Sequence, residues 1–312
     1  MIINSMISSS GGGSAGDSGL KAFIERSSSA PTLPDNLTSI GYAAFYGYTD
    51  ADYTTLPSGI TSIDASAFYG CTNLDLTSLP SGITSISESA FRGCTNLALT
   101  SLPSGVTSIA RYAFYQCTNL ALTSLPNGVT TIGDSAFQDC ANVTFSVIPS
   151  GVTKIESTTF QGCSSITTIK CEGQLSAVGA GAFLKCPSLT KAEFPNCTAS
   201  SWGNILGTSQ AASACQNLVM ADIGSTSSIG SNNFANCYKL QTLVLRKTGS
   251  ICTLSNVSAF TNTPMRGYNS LTGTVYVPSA LISTYQTATN WKTLYDGGTL
   301  TFAAIEGSQY EL

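Results

Sequence analysis

Apolar positions recur along most of this chain with a period of 23 residues. Phe45, Phe68, Phe91, Phe114, Phe137, Phe160 and Phe183 mark it, and from Phe68 onward a cysteine follows three residues later, at Cys71, Cys94, Cys117, Cys140, Cys163 and Cys186. A period of that length predicts a solenoid, because one repeat cannot bury its apolar face alone and stacked neighbours share a continuous core. The stretch Leu79–Leu102, LPSGITSISESAFRGCTNLALTSL, shows the elements of one coil. LPSG reads as a turn, with Pro presetting φ and Gly relieving the corner. Ile83 to Ile86 is a β-branched run with the character of a short strand. SAFRGC reads as one helical turn, with Phe91 and Cys94 inward as an i, i+3 pair and Arg92 and Gly93 outward. Leu97 and Leu99 alternate along a second extended piece, and Leu102 reaches the next turn.

The polar positions keep the same register. Thr38, Thr61, Thr84, Thr107, Thr130 and Thr153 form one column, and Asn73, Asn96, Asn119 and Asn142 form another. Stacked strands are spaced by roughly 4.8 Å, so like side chains in a column come within hydrogen-bonding reach of the next coil. The Asn column is expected to satisfy loop backbone groups, with ligand binding as the other reading.

The pattern LPxxVTSIxxxAFxxCxxL resembles the BspA-like, or treponemal-type, leucine-rich repeats of bacterial surface proteins, over roughly Leu33 to Leu245. The resemblance implies a β-rich α/β solenoid, a right-handed leucine-rich-repeat superhelix of 23-residue coils with short helical turns. One departure stands out. Apolar residues in such repeats usually fall three, six and eight after the Cys, whereas Leu97, Leu99 and Leu102 fall three, five and eight after Cys94. The later repeats revert to the usual spacing (Ile166, Ile169 and Cys171 after Cys163), so the strand after the Cys is expected to be irregular only in the early coils.

Beyond the repeats the chain divides as follows. Residues 1–19 read as a flexible Gly/Ser segment, and 20–36 as an N-terminal cap in which Leu20, Phe23 and Ile24 share a helix face. The solenoid takes 37–262, where VSAF (Val257–Phe260) is a last echo with Thr263 at its Cys position. The gap from Cys186 to Cys215 exceeds the period by six residues and holds Trp202; it reads as a tolerated loop or as a binding feature. Residues 263–312 read as a C-terminal cap of strand (Thr274–Val277), helix and strand, the helix opening at Pro278 with Leu281, Tyr285 and Ala288 on one side and Trp291 beyond. This end resembles the segment that closes repeat proteins of gut Firmicutes and their prophages.

Charge is sparse: 10% of residues are charged and the net charge is −4, so solubility rests on Ser, Thr and Asn. Thirteen scattered Lys and Arg give no basic stripe for nucleic acid. No run of eighteen apolar residues predicts a membrane span, and no secretory signal or wall-sorting motif is visible. The chain has no histidine, which removes Ser-His-Asp, Cys-His and His-metal chemistry. No cofactor or metal is expected, since the repeat cysteines point inward and no zinc-like CxxC pair occurs. They are expected to form a ladder of buried free thiols, with Cys171, Cys197 and Cys252 off the ladder and open to other roles. Glu88, Arg111 and Asp134 share an outward position in successive coils and suit a surface ion pair.

A non-catalytic role follows, in two versions. The resemblance implies an adhesion or recognition module at the bacterial cell surface, binding a protein or glycan on a host or neighbouring cell. The lack of a visible signal or anchor suits instead a structural or receptor-binding part of a phage virion. Either needs a binding surface. The position after each repeat Phe faces outward and carries Tyr46, Tyr69, Arg92 and Tyr115, with Tyr112 nearby, and seven of the thirteen tyrosines lie between Tyr42 and Tyr115. A ridge of stacked rings suits sugars or a protein partner; the plainer reading is that these rings shield the edge of the turns. Trp202 is the second candidate.

Overall fold

A computed structural model describes residues 32–312 apart from 201 and 203, so the Gly/Ser segment and the helix expected at Leu20–Arg26 lie outside the described residues. The chain divides into two compact units, the first ending at Phe145 and the second running from Ser146 to Leu312.

The first unit is a stack of 23-residue coils. Each contributes a two-residue strand: β1 (Ser39–Ile40), β2 (Ser62–Ile63), β3 (Ser85–Ile86), β4 (Ser108–Ile109) and β5 (Thr131–Ile132). These pair in parallel, β1 with β2, and β4 with both β3 and β5, with isoleucine opposite isoleucine in the core. Phe45, Phe68, Phe91, Phe114 and Phe137 stack face to face at 5.1 to 5.7 Å. Beside them each thiol donates to the carbonyl of the Phe one coil back: Cys71 to Phe45, Cys94 to Phe68, Cys117 to Phe91, all at 2.9 Å, and Cys140 to Phe114 at 3.0 Å. The cysteine is thus a small apolar filler that also closes a buried carbonyl.

The helical turn expected at SAFRGC is not a helix. Local bonds run from Ala90, Arg92 and Cys94 to the carbonyls three residues back, while Ser89, Phe91 and Gly93 donate to Arg111, Ala113 and Tyr115 of the next coil. Ser89 and Gly93 hold φ of 55° and 75°, which turns alternate N–H groups along the stack. The reason is satisfaction of the backbone: a helical turn would direct its N–H groups inside one coil and leave the stacking to side chains alone. At Gly93 a side chain would also approach the Gly70 backbone at 3.6 Å, so the left-handed corner is the main constraint there.

In the threonine column Thr61, Thr107 and Thr130 donate side-chain bonds to the Thr carbonyl one coil back at 3.3 to 3.4 Å. The asparagine column does not. Asn73, Asn96, Asn119 and Asn142 are exposed, and the loop carbonyls are reached by the preceding threonines, Thr95 to Thr72 and Thr118 to Thr95 at 3.3 Å. The threonine hydroxyl, one residue nearer the Cys, reaches the neighbouring loop directly, whereas the next residue points to water.

In the second unit the strand after the Cys is regular from Cys163 onward, as the spacing predicts, and a two-residue strand also forms at Val147–Ile148 after Cys140, whose spacing is still three, five and eight. In chain order the strands are β6 (Val147–Ile148), β7 (Lys154–Ile155), β8 (Thr168–Cys171), β9 (Ala177–Val178), β10 (Lys191–Glu193), β11 (Met220–Asp222), β12 (Ser228–Ile229), β13 (Thr242–Val244), β14 (Thr253–Leu254) and β15 (Gly273–Val277). Two helices, α1 (Ile282–Thr287) and α2 (Thr289–Asp296), precede β16 (Leu300–Ala304). A seven-stranded parallel sheet runs in the order β16-β15-β13-β11-β10-β8-β6, with Ile169, Ala192, Ala221, Leu243 and Val275 aligned on its inner face.

The single helix expected after Pro278 is broken. Ala288 is extended (φ −72°, ψ 136°) and separates α1 from α2, and Leu281 and Ala288 are only half-buried. The break lets two side chains grip one residue: the Cys252 N–H donates to the Tyr285 hydroxyl at 2.7 Å, and the Trp291 indole N–H donates to the Cys252 carbonyl at 2.8 Å. Past β16 the chain folds back, and Ile305 and Tyr310 cover Met220, Val244 and Tyr276. All eleven cysteines are buried and none forms a disulfide, the off-ladder Cys171, Cys197 and Cys252 included. No helix among the described residues is long and apolar enough to cross a membrane.

Candidate functional site: a tyrosine–arginine ridge

The residue after each repeat Phe is driven outward because Phe and Cys on either side of the turn face the core. In the first unit this places Tyr46, Tyr69, Arg92 and Tyr115 on one line, Tyr46 being 42% exposed and the others half-buried. Tyr46 and Tyr69 stack at 4.5 Å with their planes 10° apart. The Arg92 guanidinium carbon lies 5.2 Å from the Tyr69 ring centre, 4.7 Å from Tyr115 and 5.0 Å from Tyr112. Tyr112 joins the line from the left-handed corner of its own coil (φ 55°), where other coils carry Ala43, Ser66, Ser89 and Ser135, and its ring meets Tyr115 edge-on at 5.6 Å.

Arg111 closes the far side of the cluster. Its guanidinium sits 4.4 Å from the Tyr112 ring centre, donates to the Tyr112 hydroxyl at 2.7 Å and approaches Asp134 at 3.7 Å. The ion pair expected of Arg111 is therefore formed with Asp134, while Glu88 is an exposed carboxylate in the coil before it. An exposed cation–ring contact contributes about 0.5–1 kcal/mol, so Arg92 among three rings is held in place rather than left to sweep solvent. Tyr48 and Tyr53, neighbours in sequence, belong to the core margin: Tyr48 is buried, Tyr53 meets Phe45 edge-on at 5.6 Å, and burial pushes the Tyr53 phenol well up.

Trp202, the other candidate, is a core residue. It is fully buried, packs on Phe194 at 5.4 Å and pairs with Ile229, so it stands in the column of the inward strand isoleucines. The region is a coil in disguise. Phe183 donates to the Ile205 carbonyl and Cys215 to the Leu206 carbonyl, so Leu206 takes the place of the repeat Phe. The extra residues lie between Leu206 and Cys215, and the thiol of Cys215 still reaches the Phe183 carbonyl at 2.9 Å. Cys215 marked this coil in the sequence, and the pair Ile205–Leu206 in place of Ala-Phe hid where its turn begins.

One further feature escaped the sequence. Buried Asp222 and half-buried Arg246 form an ion pair at 2.7 Å in the second unit, and burial raises the Asp222 carboxyl despite the opposing pull of Arg246. A cleft of about 600 Å³ opens beside it, lined by Glu172, Gln174, Asn196, Arg246, Glu306 and Leu312. Arg246 is already committed to Asp222, which leaves the cleft the carboxylates of Glu172 and Glu306, the amides of Gln174 and Asn196, and three hydroxyls. Among the described residues no three His, Cys, Asp or Glu side chains gather as a metal site.

Comparison with known proteins agrees with this architecture. The profile of the BspA type leucine rich repeat region, in six copies, matches residues 19–144 and 130–267. A leucine-rich repeat protein from Bacteroides ovatus is 22% identical over 89% of this chain and 72% of its own, with a TM-score of 0.57, and shares the fold. A leucine rich cell surface protein from Faecalibacterium prausnitzii is 26% identical over 77% of this chain and 69% of its own, with a TM-score of 0.43. The leucine rich repeat protein of T. pallidum is 31% identical over 45% of this chain and 75% of its own, with a TM-score of 0.33. No curated protein matches. With stacked Phe–Cys coils in both units and the profile covering most of its length, the chain belongs to the BspA-type leucine-rich-repeat family.

Proposed function

We propose that this protein is a non-catalytic recognition module that binds a protein or glycan on a cell surface through the ridge of Tyr46, Tyr69, Arg92, Tyr112 and Tyr115. The observation that carries the reading is Arg92 held among three tyrosine rings on an outward line, since nothing in the core requires a cation there. Rigid rings and a stacked guanidinium lose little conformational freedom on binding, which is why Tyr and Arg dominate the energetics of interfaces. A place on the bacterial surface and a place on a phage virion use the same ridge, and neighbouring genes separate them: export and wall genes for the first, tail or capsid genes for the second.

The test is a triple variant, Tyr46→Ala, Tyr69→Ala and Tyr115→Ala, beside a control with Gln138→Ala and Gln161→Ala at the matching positions of later coils. Binding to whole cells should fall at least about tenfold in the triple variant and stay unchanged in the control. A folded triple variant that binds as well as wild type removes the ridge from the account.

A further inference from the structure

The ridge has a chemical selectivity of its own. Its ring faces are largely used: Tyr46 and Tyr69 cover one another, and Tyr69, Tyr112 and Tyr115 cover the guanidinium of Arg92. A sugar ring laid flat on Tyr69 or Tyr115 would have to displace these contacts. The polar atoms the ridge retains are its phenol hydroxyls, of which that of Tyr112 already accepts from Arg111, and the guanidinium N–H groups of half-buried Arg92. Among the described residues Arg92 has neither a carboxylate partner nor a hydrogen-bond acceptor, whereas Arg111 has Asp134 and the Tyr112 hydroxyl. A guanidinium held among three rings, with no acceptor on its own N–H groups, is a fork for a two-oxygen anion.

Charge narrows the ligand. Arg92 and Arg111 are the only cations between Thr32 and Phe145, against Asp35, Asp50, Asp52, Asp64, Asp75, Glu88, Asp134 and Asp139. A polyanion would be repelled by that surface, so the ligand carries an isolated anionic group. The backbone narrows it again. Along the ridge Phe68, Gly70, Phe91, Gly93, Phe114 and Gln116 donate to the next coil, and Tyr69, Arg92 and Tyr115 donate within their own. With its N–H groups used, the row cannot take up an extended peptide by strand addition. Recognition falls to side-chain hydroxyls and the guanidinium, which is the way sugar hydroxyls and an acidic substituent are met.

We propose that Arg92, flanked by Tyr69 and Tyr115, forms a subsite for the anionic group, carboxylate or sulfate, of an acidic sugar on a cell-surface glycan. This rests on the ridge being the binding surface and specifies what it selects. The test uses the full chain on a glycan array holding uronic- and sialic-acid-terminated sugars, their methyl esters, sulfated sugars and neutral counterparts. Wild type should bind an acidic set at least about tenfold better than the esterified or neutral one, and the free-acid and sulfated arms show which anion is preferred. Arg92→Ala should abolish the preference, and Arg92→Lys, which keeps charge without the fork, should recover only part of it. Unchanged melting temperatures confirm that the variants are folded. Equal binding of acids and esters, no binding of any acidic sugar, or an Arg92→Ala variant that keeps the preference overturns the inference. In those cases the triple tyrosine variant still decides whether the ridge binds anything.

Discussion

Burial holds the ladder thiols in their protonated form. Cys71 and Cys186 are both pushed up to about 12 from 9.0, chiefly because a thiolate in the core would be stripped of water. Their folded values lie above the unfolded one, so the stabilisation is complete below pH 9 and is lost as pH rises towards 12. The slope is about 1.4 kcal/mol per pH unit for each such thiol. Urea midpoints should therefore be level between pH 7 and 8 and fall steeply from pH 9 to 11; a midpoint that does not move over that range contradicts the buried ladder. At this scale the sequence was informative where one residue type repeats. The Phe and Cys columns could be read from their period alone. Trp202 could not, because its column partner Ile229 is set by pairing across an insertion. Asn73 and its column could not either, since a register fixes which residues align but not which of two adjacent side chains meets the backbone.

Elements were legible to the degree that apolar spacing defines them. The three, five, eight spacing after Cys94 leaves Leu97 and Leu99 buried with one residue between them, and no strand forms there. The three, six, eight spacing after Cys163 and Cys186 brings β8 and β10 into the seven-stranded sheet. The turn at SAFRGC was misread as helical because an i, i+3 inward pair is common to a helical turn and to consecutive tight turns. Only the alternating bonds to the next coil distinguish them. The broken helix after Pro278 was hidden for a similar reason, since Ala288 is a good helix former whose extended conformation is imposed by the grip of Tyr285 and Trp291 on Cys252. The strand and helices from Gly273 onward pair with β13 and cover the coil around Cys252. Deleting 273–312 should expose the edge of β13 together with buried Phe260, and size-exclusion chromatography should show aggregates. A truncated chain that stays monomeric with an unchanged melting temperature would show that these elements protect nothing.

For the molecule as a whole, a scaffold this regular offers few places where chemistry can depart from structure, and the ridge is one. Its line was visible in the sequence as the outward position after each Phe. The capping of Arg92 by three rings, and the part taken by Arg111, were not, because they depend on side chains from adjacent coils and on Tyr112 occupying a left-handed corner. The most direct test is hydroxyl-radical footprinting of the full chain with and without target cells. Oxidation of Tyr46, Tyr69 and Tyr115 should fall in the presence of cells, while Tyr238, Tyr268 and Tyr295 of the second unit should be modified as before. Protection of the second set with the ridge left reactive would contradict the account.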